Sequence, residues 1–361
     1  MFERGEKRKA ATELTNVRRI GRSMKSHLVE YMCLLAEARF ALETGKDSVG
    51  LKALKKALLL GQTHKVGYYY FFQPDVMVRL YLRALDEGME VEYVQKMIRK
   101  YDLVLDPPPI DCERWPWPIK VFTMGRFALV KNGIPVRSGR KAQQKPLDLL
   151  KALLAFGGRE VSEERLADAL WPEADGDAGR QALSITIHRL RQLLGVEKAV
   201  TRFDGCVTLD QRYCWVDVWA FERALGRAKG LFGKDKKGAL RLAMRIAGMY
   251  KGHFLAEEVD EPWVILHREH LRNKFLRHME RFGKAMEKRG EYEKAVECYR
   301  KGVEADPIAE GLCQRLMLCL QALGRNAEGI TVYNKLERVL LSSLHVTPSP
   351  KSVKILEEIK A

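Results

Sequence analysis

The sequence predicts a mainly α-helical protein interrupted by one small β-rich region near its middle. Apolar residues recur at helical spacing through most of the 361 residues. Alternating β-branched and aromatic residues concentrate instead at 119–130 and in two short runs around 200–209. Farther on, Gly290 and Gly324, and likewise Tyr299 and Tyr333, repeat at one offset of 34 residues, the period of paired-helix repeats.

The net charge of +16 is spread along the whole chain, so global basicity alone says little about partners. One local run says more. Between Lys120 and Lys145 stand seven basic residues, Lys120, Arg126, Lys131, Arg137, Arg140, Lys141 and Lys145, and no acid. Such a patch neutralises phosphates, and binding through it weakens steeply with salt. The seven cysteines form no C-x-x-C pair, and several fall at apolar helical positions, as expected of reduced, mostly buried thiols in a cytoplasmic protein. No apolar run reaches the roughly 18 residues that span a membrane, and the opening MFERGEKRKAATE lacks a secretory core.

Taken in order, residues 1–104 read as a helical segment. After a charged, frayed start, 27–44 form a helix with Leu28, Met32, Leu35, Ala38 and Leu42 inward, ended by Gly45. Helices at 48–60, 75–85 and 91–101 follow, with the aromatic stretch 68–72 after the first of them. Paired helices with short turns are the pattern of repeat arrays, so the segment either caps a longer solenoid or packs on the later domains. The run ALKKALLLGQTHKVGYYYFFQPDVMVRLYLRAL with VEYVQKMIRKYDL resembles the last helices of the sensor region in ATP-dependent regulators of the maltose-activator type. That resemblance implies a place in a larger architecture. The chain itself contains no G-x-x-x-x-G-K-[ST] phosphate loop.

LDPPPIDCERWPWP, at 105–118, is the expected linker, because consecutive prolines exclude helix and sheet interiors. Trp115 and Trp117 dock this spacer on a neighbour or begin the next core. From 119 to 215 the elements are a small sheet turning at Asn132-Gly133, a helix at 144–156 ended by two glycines, and a helix capped by Ser162 and stopped by Pro172. A third helix at 178–195 and a hairpin turning at Asp204-Gly205 complete the set. Sheet, three helices and hairpin in this order are the winged form of helix-turn-helix.

The third helix carries the candidate chemistry. Leu183, Ile187, Leu190 and Leu194 make its apolar stripe. The opposite face holds Gln181, Ile185, His188, Arg189 and Gln192, where amide and guanidinium groups suit base edges and Ile suits a thymine methyl. The expected base contacts in duplex DNA are Gln181, Ile185, His188 and Arg189. The expected phosphate contacts are Lys141, Arg180, Ser184, Thr186, Arg191, Gln192, Lys198 and Arg202. His188 can equally pair with phosphate or solvent, and Ser184 and Thr186 can bond back to the helix backbone. The preceding acidic loop, with Glu173, Asp175 and Asp177, is a solvated turn or faces a basic patch on RNA polymerase.

GRKAQQKPLDLLKALLAFGG, VSEERLADALWP and RQALSITIHRLRQLL resemble the DNA-binding domain of antibiotic-regulatory activators. The resemblance implies groove reading from Gln181, Ile185, His188 and Arg189, with Arg191 and Gln192 near phosphate. One departure is the wing, where Gly205-Cys206-Val207 stands in place of an aromatic after the glycine.

Residues 216–361 are expected to be tetratricopeptide-like, with helices at 216–228, 237–249 and 261–289 before the repeats. The small residues Ala295 and Gly329 permit close helix packing. Placed after a winged helix and ending in TPSPKSVKILEEI, this part resembles the bacterial transcriptional activator domain of the same regulators. That implies protein contact: a homodimer on DNA, RNA polymerase, or both. His267, His270 and His278 share a helical face without a third ligand at suitable spacing, so a solvated face is expected rather than a metal site. No cofactor and no nucleophile, base and orienter set is expected, so the chain reads as a nucleoid-associated regulator rather than an enzyme. The rival reading is an adaptor whose repeats bind proteins while the winged helix binds no DNA.

Overall fold

The computed structural model describes all residues except 1–5, 67–71, 137–140, 232–235 and 260. The chain divides into two compact units, Met1–Pro118 and Ile119–Ala361.

The first unit is built from α1 (Lys7–Ser23), α2 (His27–Glu43), α3 (Asp47–Thr63), α4 (Pro74–Asp86) and α5 (Val91–Lys100). The expected frayed start is instead the helix α1, which lies on α2 through the close approach of Gly21 to Val29 and the Arg18–Glu37 ion pair at 2.6 Å. Tyr31, Leu54, Tyr81 and Leu85 are fully buried at the centre. The aromatic stretch 68–72 lies outside the described residues except for Phe72. The proline-rich segment is no free spacer. Trp115 and Trp117 are buried, Arg114 donates to the Leu85 carbonyl at 3.2 Å, and the Gln95 amide donates to the Arg114 carbonyl at 2.7 Å. These bonds fold the segment back on its own unit.

The second unit opens with β1 (Ile119–Phe122), β2 (Ala128–Lys131) and β3 (Ile134–Pro135), then α6 (Lys141–Ala155), β4 (Val161–Ser162), α7 (Glu163–Leu170) and α8 (Gly176–Leu194). The wing strands β5 (Val200–Phe203) and β6 (Cys206–Leu209) follow, then β7 (Cys214–Val216). One sheet runs β3-β2-β1-β7, with β7 parallel to β1, and the other runs β4-β6-β5. Helices α9 (Asp217–Leu231), α10 (Lys236–Met249), α11 (Pro262–Glu287), α12 (Tyr292–Ala305), α13 (Glu310–Ala322), α14 (Asn326–Leu344) and α15 (Pro350–Lys360) complete the chain.

The boundary expected at 215/216 falls inside β7, and the joint there is continuous. Leu255 N–H donates to the Thr123 carbonyl at 2.8 Å, and Gly125 N–H donates to the His253 carbonyl at 2.9 Å. Lys151 of α6 pairs with Glu258, and Arg268 of α11 donates to the carbonyls of Phe254, Leu255 and Glu258. The segment at 253–258 therefore ties α6 and the β1–β2 loop to the repeats.

In the repeats, a Cβ placed on Gly283 would lie 2.4 Å from the Tyr299 ring, so α11 and α12 approach as closely as they do because that position lacks one. The terminal TPSPKS segment is held by Glu310, which accepts from Ser349 N–H at 2.7 Å and from the Ser352 hydroxyl at 2.6 Å. Of the three histidines expected on a solvated face of α11, His270 is exposed and the other two are not. His278 is buried, and burial drops the pKa values of both His267 and His278 to about 4. Phe254, from outside α11, packs edge-on against His267, which helical spacing does not reveal, while His278 stacks on Phe282 one turn along its own helix. No group of His, Cys, Asp or Glu among the described residues is placed to hold a metal, and no described helix is long and apolar enough to cross a membrane.

Candidate nucleic-acid interface

Helix α8 is fixed at both ends by its own sequence. Asp175 accepts from Ala178 N–H at 2.9 Å at the start, so this acid of the loop is a cap. At the far end Gly195 takes the left-handed conformation at φ 70°. Between them Leu183, Ile187, Leu190 and Leu194 are all buried, each contributing about 1.5–3 kcal/mol by removal from water. A Cβ added at Gly179 would meet that of Ala167 at 3.5 Å, an ordinary contact, so the crossing of α8 and α7 does not depend on the glycine.

The outward face carries Arg180, Gln181, Ser184, Ile185, His188, Arg189 and Gln192, all exposed. From Gly179 to Leu194 the helix has no acidic residue. The Gln192 amide lies 3.0 Å from His188 Nε2, one helical turn away, so these two side chains order each other. Lys198 is exposed beside the wing. Lys141 begins α6, and its side chain lies outside the described residues, as do Arg137 and Arg140.

Three expected phosphate contacts are placed elsewhere. Thr186 is 4% exposed and its hydroxyl donates to the Ala182 carbonyl at 2.7 Å, which takes it out of the set. Arg191 is half-buried, and its Nε donates to the Val200 carbonyl at 2.9 Å, tying α8 to β5. Arg202 forms a two-pronged pair with Glu163 of α7 and reaches the Ser184 hydroxyl at 3.3 Å, so its charge is answered within the protein. The basic run changes in the same way. Lys145 donates to the Leu170 carbonyl at 3.2 Å and lies over the Trp171 ring, while Arg126 faces Glu257 at 3.7 Å.

One exposed residue was not among the candidates. Phe203, at the end of β5 before the Asp204-Gly205 turn, is 84% exposed. Both turn residues have positive φ, 48° and 68°, as a tight two-residue hairpin requires. The aromatic expected after the wing glycine thus stands before it, and the signal was the Phe directly ahead of Asp-Gly.

Residues 216–360, which hold α9 to α15, match the family described as the bacterial transcriptional activator domain. The chain is 27% identical over 235 residues to the regulatory protein AfsR of Streptomyces griseus, covering 63% of this chain and 23% of that protein. To the AfsR of Streptomyces coelicolor it is 29% identical over 228 residues, again 63% of this chain and 23% of the relative. The chain thus spans less than a quarter of the length of these relatives. A solved structure of Mycobacterium tuberculosis EmbR in complex with a low-affinity phosphopeptide superposes with a TM-score of 0.48 at 20% identity, covering 67% of this chain and 65% of that one.

Proposed function

We propose that this protein is a sequence-specific DNA-binding transcription regulator that lays α8 in the major groove of duplex DNA. The observation that carries the reading is the exposed, acid-free row on a helix held rigid from behind. Arg189 and Gln181 offer bidentate pairs to guanine and adenine, Ile185 offers contact to a thymine methyl, and His188 a further base edge. Lys141, Arg180, Ser184, Gln192 and Lys198 serve phosphates, with Arg191 and Arg202 positioning the wing against the helix. Residues 216–361 contact a second copy of the chain on repeated half-sites, or RNA polymerase. The protein acts where the chromosome is, as a regulator and not as an enzyme.

The test is selection of bound sites from random duplexes with the full chain, followed by titration of the selected site against a scrambled one. The reading expects an enriched motif and at least about 1000-fold preference over non-specific DNA at physiological salt. No enrichment would leave the adaptor reading in its place.

A further inference from the structure

The outward row of α8 contains one pair of side chains that is arranged before any partner arrives. Gln192 Nε2 lies 3.0 Å from His188 Nε2, one turn back along the helix. An amide nitrogen carries two hydrogens and accepts nothing, so in this contact it donates and the ring nitrogen accepts. A ring nitrogen that accepts carries no proton, and the imidazole hydrogen therefore sits on Nδ1. Among the described residues that Nδ1 has no hydrogen-bond partner. His188 is exposed, and no acid stands on α8 from Gly179 to Leu194 to claim Nδ1–H. Asp177 is about three turns back, about 16 Å along the axis, and Glu163 of α7 is taken by Arg202. His188 thus presents a hydrogen-bond donor outward, and Gln192 keeps its second amide hydrogen for a phosphate.

Which nitrogen carries the hydrogen decides what the ring can read. In the major groove guanine and thymine present a keto oxygen, O6 or O4, where adenine and cytosine present an amino group. A ring donor pairs with the keto oxygen and meets the amino hydrogens head on. The opposite tautomer reverses the preference, because its Nδ1 lone pair accepts from an amino group. An imidazole free to exchange between the two forms separates neither class.

We infer that Gln192 is a positioning residue that holds His188 as an outward donor, so that one base of the recognised site is a guanine or thymine and adenine or cytosine is rejected there. This assignment rests on the groove reading of α8 and adds the kind of base edge that His188 meets. It also gives Gln192 a part that phosphate contact does not. A phosphate bond acts on every sequence alike, whereas the state of the ring acts at one base pair.

Two measurements on the full chain test this. The first is a proton–nitrogen correlation spectrum of histidine-labelled protein at neutral pH without DNA, with the His188 signals assigned through their loss in His188→Gln. The parent should show Nδ1 protonated and Nε2 unprotonated. In Gln192→Met, whose side chain is as long but has no donor, the form protonated at Nε2 should gain. Both residues are exposed, so the thermal midpoint should not move. The second is titration of the duplex selected from random sequences against one in which the keto base facing His188 is exchanged for the amino base of the same ring size. The parent should bind the exchanged duplex at least about fivefold more weakly. That ratio should shrink to within about twofold in both Gln192→Met and His188→Ala, with no further change in the double variant. A parent protonated at Nε2 overturns the inference, as does a parent indifferent to the exchange. So does an unchanged ratio in Gln192→Met with affinity reduced equally for all duplexes, which would leave Gln192 a phosphate contact only. If the parent selects no motif, the groove reading fails and the base assignment falls with it, while the spectrum still decides whether Gln192 sets the ring.

Discussion

Asp217, the first residue of α9, accepts from the Thr123 backbone N–H at 2.8 Å and from the Thr123 hydroxyl at 2.6 Å, with Met124 N–H added at 2.9 Å. The sequence separation is large, and the carboxyl group is buried at 7% residue exposure. Burial pushes its pKa up, and the donors gathered around it pull against that rise. Through this one side chain α9 holds the bend between β1 and β2.

Removing it should therefore loosen the whole second unit. Asp217→Ala leaves the Thr123 and Met124 N–H groups buried without an acceptor, a cost of about 2–4 kcal/mol. Asp217→Asn keeps one acceptor oxygen and should cost less. Urea unfolding followed through Trp215 and Trp219, both buried next to the joint in sequence, measures the difference. An alanine variant within about 0.5 kcal/mol of the parent would show that the joint rests on the backbone pairs alone.

That joint marks the limit of what periodicity reveals. The stripe from Leu183 to Leu194 is legible because four side chains at fixed spacing dictate which face of α8 goes inward. The 34-residue register is legible for the same reason, since Tyr299 and Tyr333 occupy like positions and are both buried. Strand β7 has three residues, and its partner β1 lies far back in the chain, so no local pattern announces it. Arg191, Arg202 and Thr186 look alike to a reader of exposed polar residues. Only the Val200 carbonyl, the Glu163 carboxylate and the Ala182 carbonyl, brought up by folding, separate them from Arg189.

Arg189 and Arg191 should accordingly fail in different ways. Arg189→Ala removes an exposed side chain, so stability should stay within about 0.5 kcal/mol, while DNA discrimination at one base pair falls by roughly 1–3 kcal/mol. Arg191→Ala removes the bond to Val200 and should cost about 1 kcal/mol of stability, with base preference unchanged. Paired denaturation and binding titrations on both variants decide it. Loss of base preference in Arg191→Ala alone would reverse the two assignments.

His278 gives the second unit a dependence on acid. Its pKa is about 4 in the folded protein against an ordinary 6.5, because burial disfavours the charged ring. The unfolded chain takes the proton first, so stability present above pH 6.5 is lost as pH falls toward 4. From pH 7 to pH 5 the loss from this residue alone is about 2 kcal/mol, and His267 adds in the same direction. His278→Gln, which has no proton to take up, should flatten the curve by that amount. Urea midpoints at the two pH values measure it, and parallel curves for parent and variant would exclude His278 as the source.

Phe203 provides the sharpest test of the wing. At 84% exposure it contributes little packing to the folded chain, so Phe203→Ala should leave the unfolding midpoint unchanged. On DNA the same ring lies at the tip of a hairpin tied to α8 through Arg202 and Ser184, so with α8 in the major groove the ring meets the flanking minor groove or backbone. Loss of an aromatic surface buried there should weaken binding by about 1–2 kcal/mol. Because the contact is apolar, the slope of affinity against salt should not change, in contrast to Lys198→Ala, which should reduce the slope by about one. Footprinting should place the lost protection to one side of the major-groove contacts. If Phe203→Ala binds as tightly as the parent with an identical footprint, the wing does not touch DNA, and α8 reads its site without it.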